Sequence, residues 1–277
     1  MRRAASLLTI TCLLALSSVS ACGSQTGDPR GEGGAPPPGG KDKRIRDVAD
    51  PTLPDHASLI NTMQAVSGAV VIAVDTFDET KDGNGKGDVY VQDLDATKAT
   101  PYAGINLFAT TFSPGNLAVA PGDVLSMRGK YQETAVIPSK PPIVFPPPSL
   151  LVQLSQPIAT FAYETGVPKP IDIDLADLAD FEKGRRWVGM LVRVTNVRAL
   201  NDAFQAANGR TSVDITPGPS PFVFCGPKPA ATLVNALYPI EDLGLKAGQV
   251  VKSVTGVLLF FCNLQLAPRS AADIQLQ

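Results

Sequence analysis

One cysteine of the chain lies in a sequence context in which its thiol could be covalently modified. Cys22 directly follows the small residues 19–21, and these come shortly after an apolar run at 7–16 that two arginines precede. A basic start, a short apolar run and small residues before a cleavage point are typical of a signal peptide. The apolar run has about half the length needed to span a bilayer, so it does not predict a transmembrane helix.

The run 16–22, Leu-Ser-Ser-Val-Ser-Ala-Cys, resembles the cleavage site of a bacterial lipoprotein signal. The resemblance implies that residues 1–21 are removed and that Cys22 becomes the lipidated first residue, carrying palmitate-type acyl chains. Two or more chains anchor a protein stably, whereas one is marginal. Gly23 stands where an aspartate marks retention in some bacteria, which favours the outer membrane of a bacterial envelope. An ordinary secretory signal that leaves a free thiol is the alternative.

Two further cysteines remain in the mature chain, because Cys12 leaves with the signal peptide. An exported compartment permits disulfides, and Cys225 and Cys262 allow one intramolecular pairing. We therefore predict a Cys225–Cys262 disulfide, which contributes roughly 3–4 kcal/mol in the chain-entropy model. A redox or metal pair is the alternative, although no Cys-x-x-Cys spacing occurs and the single histidine, His56, is distant in sequence.

The acidic loop 82–88 partly resembles a calcium-binding loop. Asp82, Asn84 and Asp88 place side-chain oxygens at alternate positions, as a hard cation requires. Lys86 stands where a further oxygen ligand is needed, and no downstream glutamate completes the set. A hairpin turn of the Asn-Gly type is therefore the favoured interpretation and calcium the alternative. No cofactor is predicted.

Composition divides the chain into a leader, a tether and a globular part. Residues 1–21 form the predicted lipoprotein signal peptide. Residues 22–50 are rich in glycine, proline and charge, which predicts a flexible tether that reaches on the order of 30 Å from the membrane. The rest is predicted as one barrel at 60–165, an acidic connector at 166–184 and a second barrel at 185–277.

Short apolar and β-branched runs occur in the same order in both halves, separated by glycine, proline and aspartate, which predicts a sandwich or barrel. The first copy has predicted strands at 66–74, 88–93, 104–109, 121–131 and 150–154. Their counterparts in the second copy lie at 187–194, 211–215, 221–225, 247–257 and 264–266. This weak repeat implies two copies of one supersecondary unit. Short helices are predicted at 175–183 and 230–237.

Five strands with a glycine-led fourth strand resemble an OB-fold, a small five-stranded Greek-key barrel. The predicted fold class is all-β, with two tandem OB-like five-stranded barrels and short helices after a disordered N-terminal tether. The stretches 89–93 and 187–194 narrow the resemblance to the OB-like modules that accompany catalytic domains in secreted bacterial nucleases. A nuclease domain does not fit into the remaining residues, so the resemblance implies an accessory module without the enzyme.

OB-folds bind ligands on the face of their second and third strands. In the first copy, Tyr90 and Gln92 share one face of the second strand. An aromatic ring and an amide at these positions predict stacking on, and hydrogen bonding to, a ligand such as a glycan. The alternative is that Tyr90 packs beneath a loop.

The two copies carry different charge. Residues 60–165 hold six basic and ten acidic side chains, whereas residues 185–277 hold nine basic and five acidic ones. Binding of single-stranded nucleic acid needs a basic groove with aromatic platforms. The second barrel is therefore the nucleic-acid candidate, with the basic set Arg186, Arg193, Arg198 and Arg210 and the platforms Trp187, Phe204 and Phe222. Opposite charges that only help the barrels dock are the alternative.

The sequence carries no catalytic motif, and a single histidine argues against a Ser-His-Asp arrangement. Without its signal peptide the chain has 22 basic and 26 acidic side chains, which argues against a general nucleic-acid binder. The leading interpretation is a non-catalytic, lipid-anchored protein that binds or assembles with an envelope or extracellular partner. Single-stranded nucleic acid on the second barrel and a glycan on the first are the alternatives.

Overall fold

The computed structural model describes residues 42–79, 81–83, 85–135, 150–205, 209–215, 231–261 and 263–277. Several predicted features lie outside the described residues: the signal peptide, Cys22, most of the tether, Asn84, the strand 221–225 with Phe222, Cys225 and Cys262. Lipidation and the disulfide therefore stay predictions. Within the described ranges, no helix combines the length and the apolar composition that a membrane span requires.

The first barrel is built from strands whose inward positions alternate with outward ones, so that every second side chain enters the core. In chain order the strands are β1 (Met63–Val74), β2 (Val89–Asp93), β3 (Gly104–Phe108), β4 (Thr111–Ser113), β5 (Asp123–Ala135) and β6 (Leu150–Glu164).

The pairing of these strands closes the sheet. β1 pairs with β2 and β2 with β3, all antiparallel. β3 then pairs in parallel with β6, which runs antiparallel to β5, and β5 returns antiparallel to β1. With β5 and β6 as fourth and fifth strands, this is the five-stranded Greek-key barrel of an OB-fold. The short strand β4 lies beside β6, outside the closed ring.

The second half repeats this connectivity. Its strands are β7 (Ile171–Asp172), β8 (Leu191–Arg198), β9 (Phe204–Gln205), β10 (Thr211–Ile215), β11 (Ala231–Val234), β12 (Val250–Phe261), β13 (Asn263–Ala267) and β14 (Ile274–Leu276). β8 pairs with β12 and β12 with β13, β13 runs parallel to β11, and β11 pairs with β10. A bridge between Ala199 and Ile215 joins β10 back to the end of β8. The predicted fold class, two tandem OB-like barrels in an all-β chain, is confirmed.

Two details of the secondary-structure prediction are wrong. The predicted helix 230–237 is instead β11, the third strand of the second barrel, because Ala231 and Leu233 point into the core in a period of two. The predicted helix 175–183 is a 3-10 turn (Leu175–Ala179) followed by the one-turn helix α3 (Phe181–Gly184). The Asp180 side chain separates them, since it accepts a hydrogen bond from the Lys183 N–H and caps α3.

The end of the predicted tether is also wrong. Residues 42–50 are folded against the first barrel and include the short helix α1 (Arg46–Ala49), which is followed by α2 (His56–Leu59). Ile45 and Val48 are buried in the first core. The carboxylate of Asp93 accepts hydrogen bonds from the backbone N–H groups of Ile45 (2.7 Å) and Arg46 (3.3 Å). Charged residues surround Ile45 and Val48 in the sequence. The average composition of this segment therefore does not indicate that the two apolar side chains are buried.

Candidate functional site

The two barrels share a buried apolar interface. It is formed by the outer faces of β1, β2 and β5 in the first barrel and of β8 and β12 in the second. Its buried members are Val70, Ile72, Ala73, Tyr90, Val124, Leu191 and Val257. We call this cluster the inter-barrel interface. Because apolar area removed from water stabilises the contact, this face joins the barrels and is closed to a ligand.

The predicted ligand face of the first barrel lies in this interface, so its assignment is wrong. Tyr90 is 9 % exposed and Gln92 is 1 % exposed. The Gln92 Oε1 accepts a hydrogen bond from the backbone N–H of Leu191, at 2.9 Å. Burial, followed by the nearby carboxylates of Asp88 and Asp75, raises the pKa of Tyr90 above its ordinary value. Both side chains therefore contact the second barrel and are not available to a ligand.

Backbone also meets backbone between the two halves. A Cβ added to Gly104 would lie 2.4 Å from the carbonyl carbon of Gly189, closer than any side chain tolerates. Gly189 adopts a positive φ of 80°, which favours glycine independently of the contact. Next to it, the Tyr102 N–H donates to the Arg186 carbonyl oxygen at 2.7 Å. Two glycines are thus required at one contact point.

A polar cluster lies at the rim of the interface, in the loop between β1 and β2. Glu79, which is 5 % exposed, accepts a hydrogen bond from Arg210 Nη2 at 2.7 Å and another from the Lys86 ammonium. Arg210 was predicted to contact nucleic acid. Its guanidinium instead forms an ion pair across the two barrels, which matches the alternative that opposite charges help them dock.

Two further carboxyl groups of this loop titrate abnormally. Asp75 is 2 % exposed, and its Oδ1 has no hydrogen-bond partner among the described residues. Burial raises the pKa of Asp75 to about 6, with Lys86 opposing the shift and Glu79 reinforcing it. Burial also raises the pKa of Asp88, although Asn106 Nδ2 donates to its carboxylate at 3.2 Å. Removing a carboxylate from water disfavours its charged form.

The predicted calcium residues are not gathered around a common point in the described part of the chain. Asp82 is exposed, and the Asp78 carboxylate accepts hydrogen bonds from the N–H groups of Asp82 (3.1 Å) and Gly83 (2.7 Å). Asp88 faces Asn106 instead. Among the described residues, no three His, Cys, Asp or Glu side chains are arranged to hold a metal ion.

The other three predicted arginines occupy separate settings. Arg193 on β8 forms a bidentate pair with Asp172, at 2.6 and 2.8 Å, which raises the pKa of Arg193 and lowers that of Asp172. Arg198 lies five residues further, roughly 17 Å along the strand, and donates to the Gly248 carbonyl oxygen at 3.1 Å. Arg186 is exposed on the short turn before β8. The structure does not bring the four predicted arginines into one groove.

The face of the second and third strands of the second barrel is polar but not basic. Asp214 and Thr232 face each other across β10 and β11, and each is 1 % exposed. The Thr232 hydroxyl accepts a hydrogen bond from Asn263 Nδ2 at 2.9 Å. Phe204 on β9 lies beside β10 and is 61 % exposed. Of the three predicted platforms, Phe204 is open, while Trp187 is buried in the second core.

A small cleft that no sequence motif predicts lies between the first barrel and the connector. Its lining residues are Ala49, Tyr102, Glu133, Val152, Phe181, Arg185 and Val188. Glu133 Oε1 accepts a hydrogen bond from the Tyr131 hydroxyl at 2.8 Å and lies 2.5 Å from His56 Nε2. The Arg185 guanidinium lies 5.9 Å from the centre of the Tyr102 ring, within cation–π range.

Sequence reasoning missed this cleft for a simple reason. His56 and Glu133 are 77 residues apart, and neither belongs to a recognisable motif. His56 is 7 % exposed, and its Nδ1 has no hydrogen-bond partner among the described residues. The single histidine of the chain is therefore a buried partner of Glu133 at the edge of the barrel.

Comparison with known proteins leaves the family open. No protein-family model matches the chain, and neither does any curated protein. Among solved structures, fission yeast Pot1 with single-stranded DNA has 13 % identity over 82 % of this chain and 83 % of that chain, with a TM-score of 0.27. The single-stranded DNA-binding protein of Thermus aquaticus has 11 % identity over 78 % and 92 %, with a TM-score of 0.23. Similarity this low carries no argument about a ligand, and the OB-fold assignment above is based on strand pairing.

Proposed function

We propose that this chain is a non-catalytic, lipid-anchored protein of the bacterial envelope whose two OB barrels act together as one binding or assembly unit. The single observation that supports the unit is the inter-barrel interface. It buries the face that a free OB barrel would offer to a ligand, and it is fixed by the hydrogen bond from the Leu191 N–H to Gln92. Anchoring is proposed from the motif that ends at Cys22.

The setting of His56 argues against its use as a general base. An imidazole that acts as a general base must lie within reach of a reacting group. Here Nε2 is taken by Glu133, and Nδ1 is buried without a partner among the described residues. Because the sequence contains no second histidine, no other imidazole can take this role.

Metabolic labelling with an alkyne analogue of palmitate tests the anchor. We expect wild-type protein to incorporate label and to sediment with outer membranes in a density gradient. Cys22→Ala should lose the label and leave the membrane fraction. Cys12→Ala is the matched control, because it removes a thiol from the predicted signal peptide and should leave labelling unchanged. Label that persists in Cys22→Ala would refute the proposal.

A second candidate function is the binding of single-stranded nucleic acid by the second barrel, which one observation favours. Phe204 is 61 % exposed beside β10, the strand on which OB-folds bind, and an exposed ring is a stacking platform. Titration with labelled single-stranded DNA at low and physiological salt tests it. Binding that weakens with salt, and that Phe204→Ala and Arg186→Ala/Arg198→Ala each reduce, supports this function. Absence of binding at low salt removes it.

A further inference from the structure

One outer face of the first barrel combines basic and apolar side chains. Inward residues of β1, β5 and β6 alternate with exposed ones, so the exposed set shares one side of three neighbouring strands. This set, which we call the docking face, consists of Met63, Ala65, Arg128, Lys130, Ile158 and Thr160. Met63 is 54 % exposed and Ile158 is 57 % exposed.

The strand register interleaves the charges with the apolar side chains. Arg128 lies between Ala65 on β1 and Ile158 on β6, and Lys130 pairs with Met63. The docking face contains no acidic side chain, although residues 60–165 as a whole carry six basic and ten acidic ones. In the described part of the chain, neither Arg128 nor Lys130 forms an ion pair. The docking face is thus positively charged, whereas the first barrel as a whole is negatively charged.

The chain enters the barrel next to this face. Lys43 forms a parallel bridge with Val66, so the first described residues run alongside β1, the strand that carries Met63 and Ala65. Arg44 reaches over the same strand, with Nη1 3.4 Å from the carbonyl oxygens of Ser67 and Gly68. Asp42 is 20 residues from Cys22, which bounds their separation at about 70 Å for a fully extended chain.

We propose that the docking face rests on anionic phospholipid headgroups of the membrane that holds the lipid anchor. This inference rests on the proposed anchoring at Cys22. Arg128 and Lys130 meet lipid phosphates, while the Met63 and Ile158 side chains enter the headgroup boundary. Basic side chains are attracted to an anionic surface, and apolar ones beside them add buried area. Each contact is weak, but an anchored chain presents the face to the surface at high effective concentration.

Hydroxyl-radical footprinting of the lipidated protein tests the contact. Met63 is the sole exposed methionine among the described residues, while Met127 and Met190 are buried. The protein is reconstituted into phosphatidylcholine vesicles with and without phosphatidylglycerol, and oxidation of each methionine is measured by peptide mass spectrometry. We expect Met63 to be modified at least about threefold more slowly on the anionic vesicles, since two basic residues near such a surface shift the docked population by more than that.

Two charge-reversal variants with the same change in net charge distinguish an effect of the docking face from an effect of the overall charge. Arg128→Glu/Lys130→Glu should abolish the protection of Met63 by anionic lipid, whereas Lys183→Glu/Lys252→Glu, with the same change in net charge at exposed positions outside the face, should keep it. Unreactive Met127 and Met190 show that a variant is folded. Equal Met63 modification on both vesicle types, or equal protection in both double variants, overturns the proposal.

An experiment with a chain that cannot be acylated tests the docking face independently of the proposed lipid anchor. A Cys22→Ser chain is mixed with excess vesicles of either type, and Met63 is followed in the same way. Protection by anionic vesicles alone supports the docking face even if the palmitate label shows that Cys22 is not acylated. Absence of such protection in both the anchored and the unanchored chain overturns the docking face, whatever the labelling shows. Protection of Met63 by soluble single-stranded DNA would reassign the face to nucleic acid.

Discussion

Asp75 is expected to destabilise the protein at neutral pH, and Asp75→Asn should therefore stabilise it. The carboxyl group is 2 % exposed and its Oδ1 has no hydrogen-bond partner among the described residues. Its other interactions include two neighbouring carboxyl groups, Glu79 and Asp88, that raise its pKa further. Asparagine has nearly the same shape and carries no charge, so the substitution removes the cost of burying the ionised form without opening a cavity.

The pKa fixes the sign and the size of the effect. Asp75 has its pKa raised from 3.8 to about 6 in the folded state, so between these values the folded protein binds more protons than the unfolded one. Stability therefore falls as pH rises through this window, and the loss is complete above about pH 6. A shift of this size corresponds to about 3 kcal/mol at pH 7.5 and about 1 kcal/mol at pH 4.5.

Urea denaturation followed by far-ultraviolet circular dichroism measures this difference. The Cys22→Ser chain, with and without Asp75→Asn, is unfolded at pH 4.5 and pH 7.5. Asp75→Asn should raise the free energy of unfolding by up to about 3 kcal/mol at pH 7.5 and by a third of that at pH 4.5. Asp55→Asn removes an exposed charge and should change it by less than about 0.5 kcal/mol. Equal destabilisation by Asp75→Asn at both pH values would refute the reasoning, because it would mean that the carboxylate makes a contact the amide cannot replace.

Three further substitutions probe the junction of the barrels, each read as a free energy of unfolding in urea. Gln92→Leu should cost about 1–3 kcal/mol because it leaves a buried N–H of the second barrel without its acceptor; a neutral result would mean that water replaces the amide. Arg210→Ala should cost about 1–3 kcal/mol because it breaks a pair with a buried carboxylate, whereas Arg193→Ala, in an exposed pair, should cost less than about 1 kcal/mol; equal losses would contradict the bridging role. Gly104→Ala should cost about 3 kcal/mol, while Gly115→Ala, with open space around it, should be tolerated; a stable Gly104→Ala protein would show that the backbones can separate.

The fold was accessible from the sequence because its signals are local. Alternation along a strand and glycine at its start are properties of neighbouring residues, and both recur at similar offsets in the two copies. The third strand of the second copy was missed because it has only four residues, Ala231–Val234, too few for a period of two to stand out. Ile45 and Val48 were missed because composition averages over the charges around them.

The site was less accessible because its contacts are distant in sequence. Tyr90 and Gln92 were correctly placed on one face of β2, but only the second barrel, about 100 residues later, determines that this face is buried. Arg210 was singled out for its charge, and its partner, Glu79, is 131 residues away. A single sequence shows which residues could form contacts at a surface. It does not show which of those surfaces the chain covers with itself.

The position of Asp93 has a mechanical consequence. Its carboxylate holds the N–H groups of Ile45 and Arg46, at the point where the folded part of the chain begins. Any tension applied through the preceding residues arrives first at the Lys43–Val66 bridge and then at this pair of hydrogen bonds. Asp93 is the last residue of β2, which lies in the middle of the barrel sheet. The load therefore passes into the closed ring of strands. A pull on the N-terminal segment is therefore carried first by the strands of the first barrel.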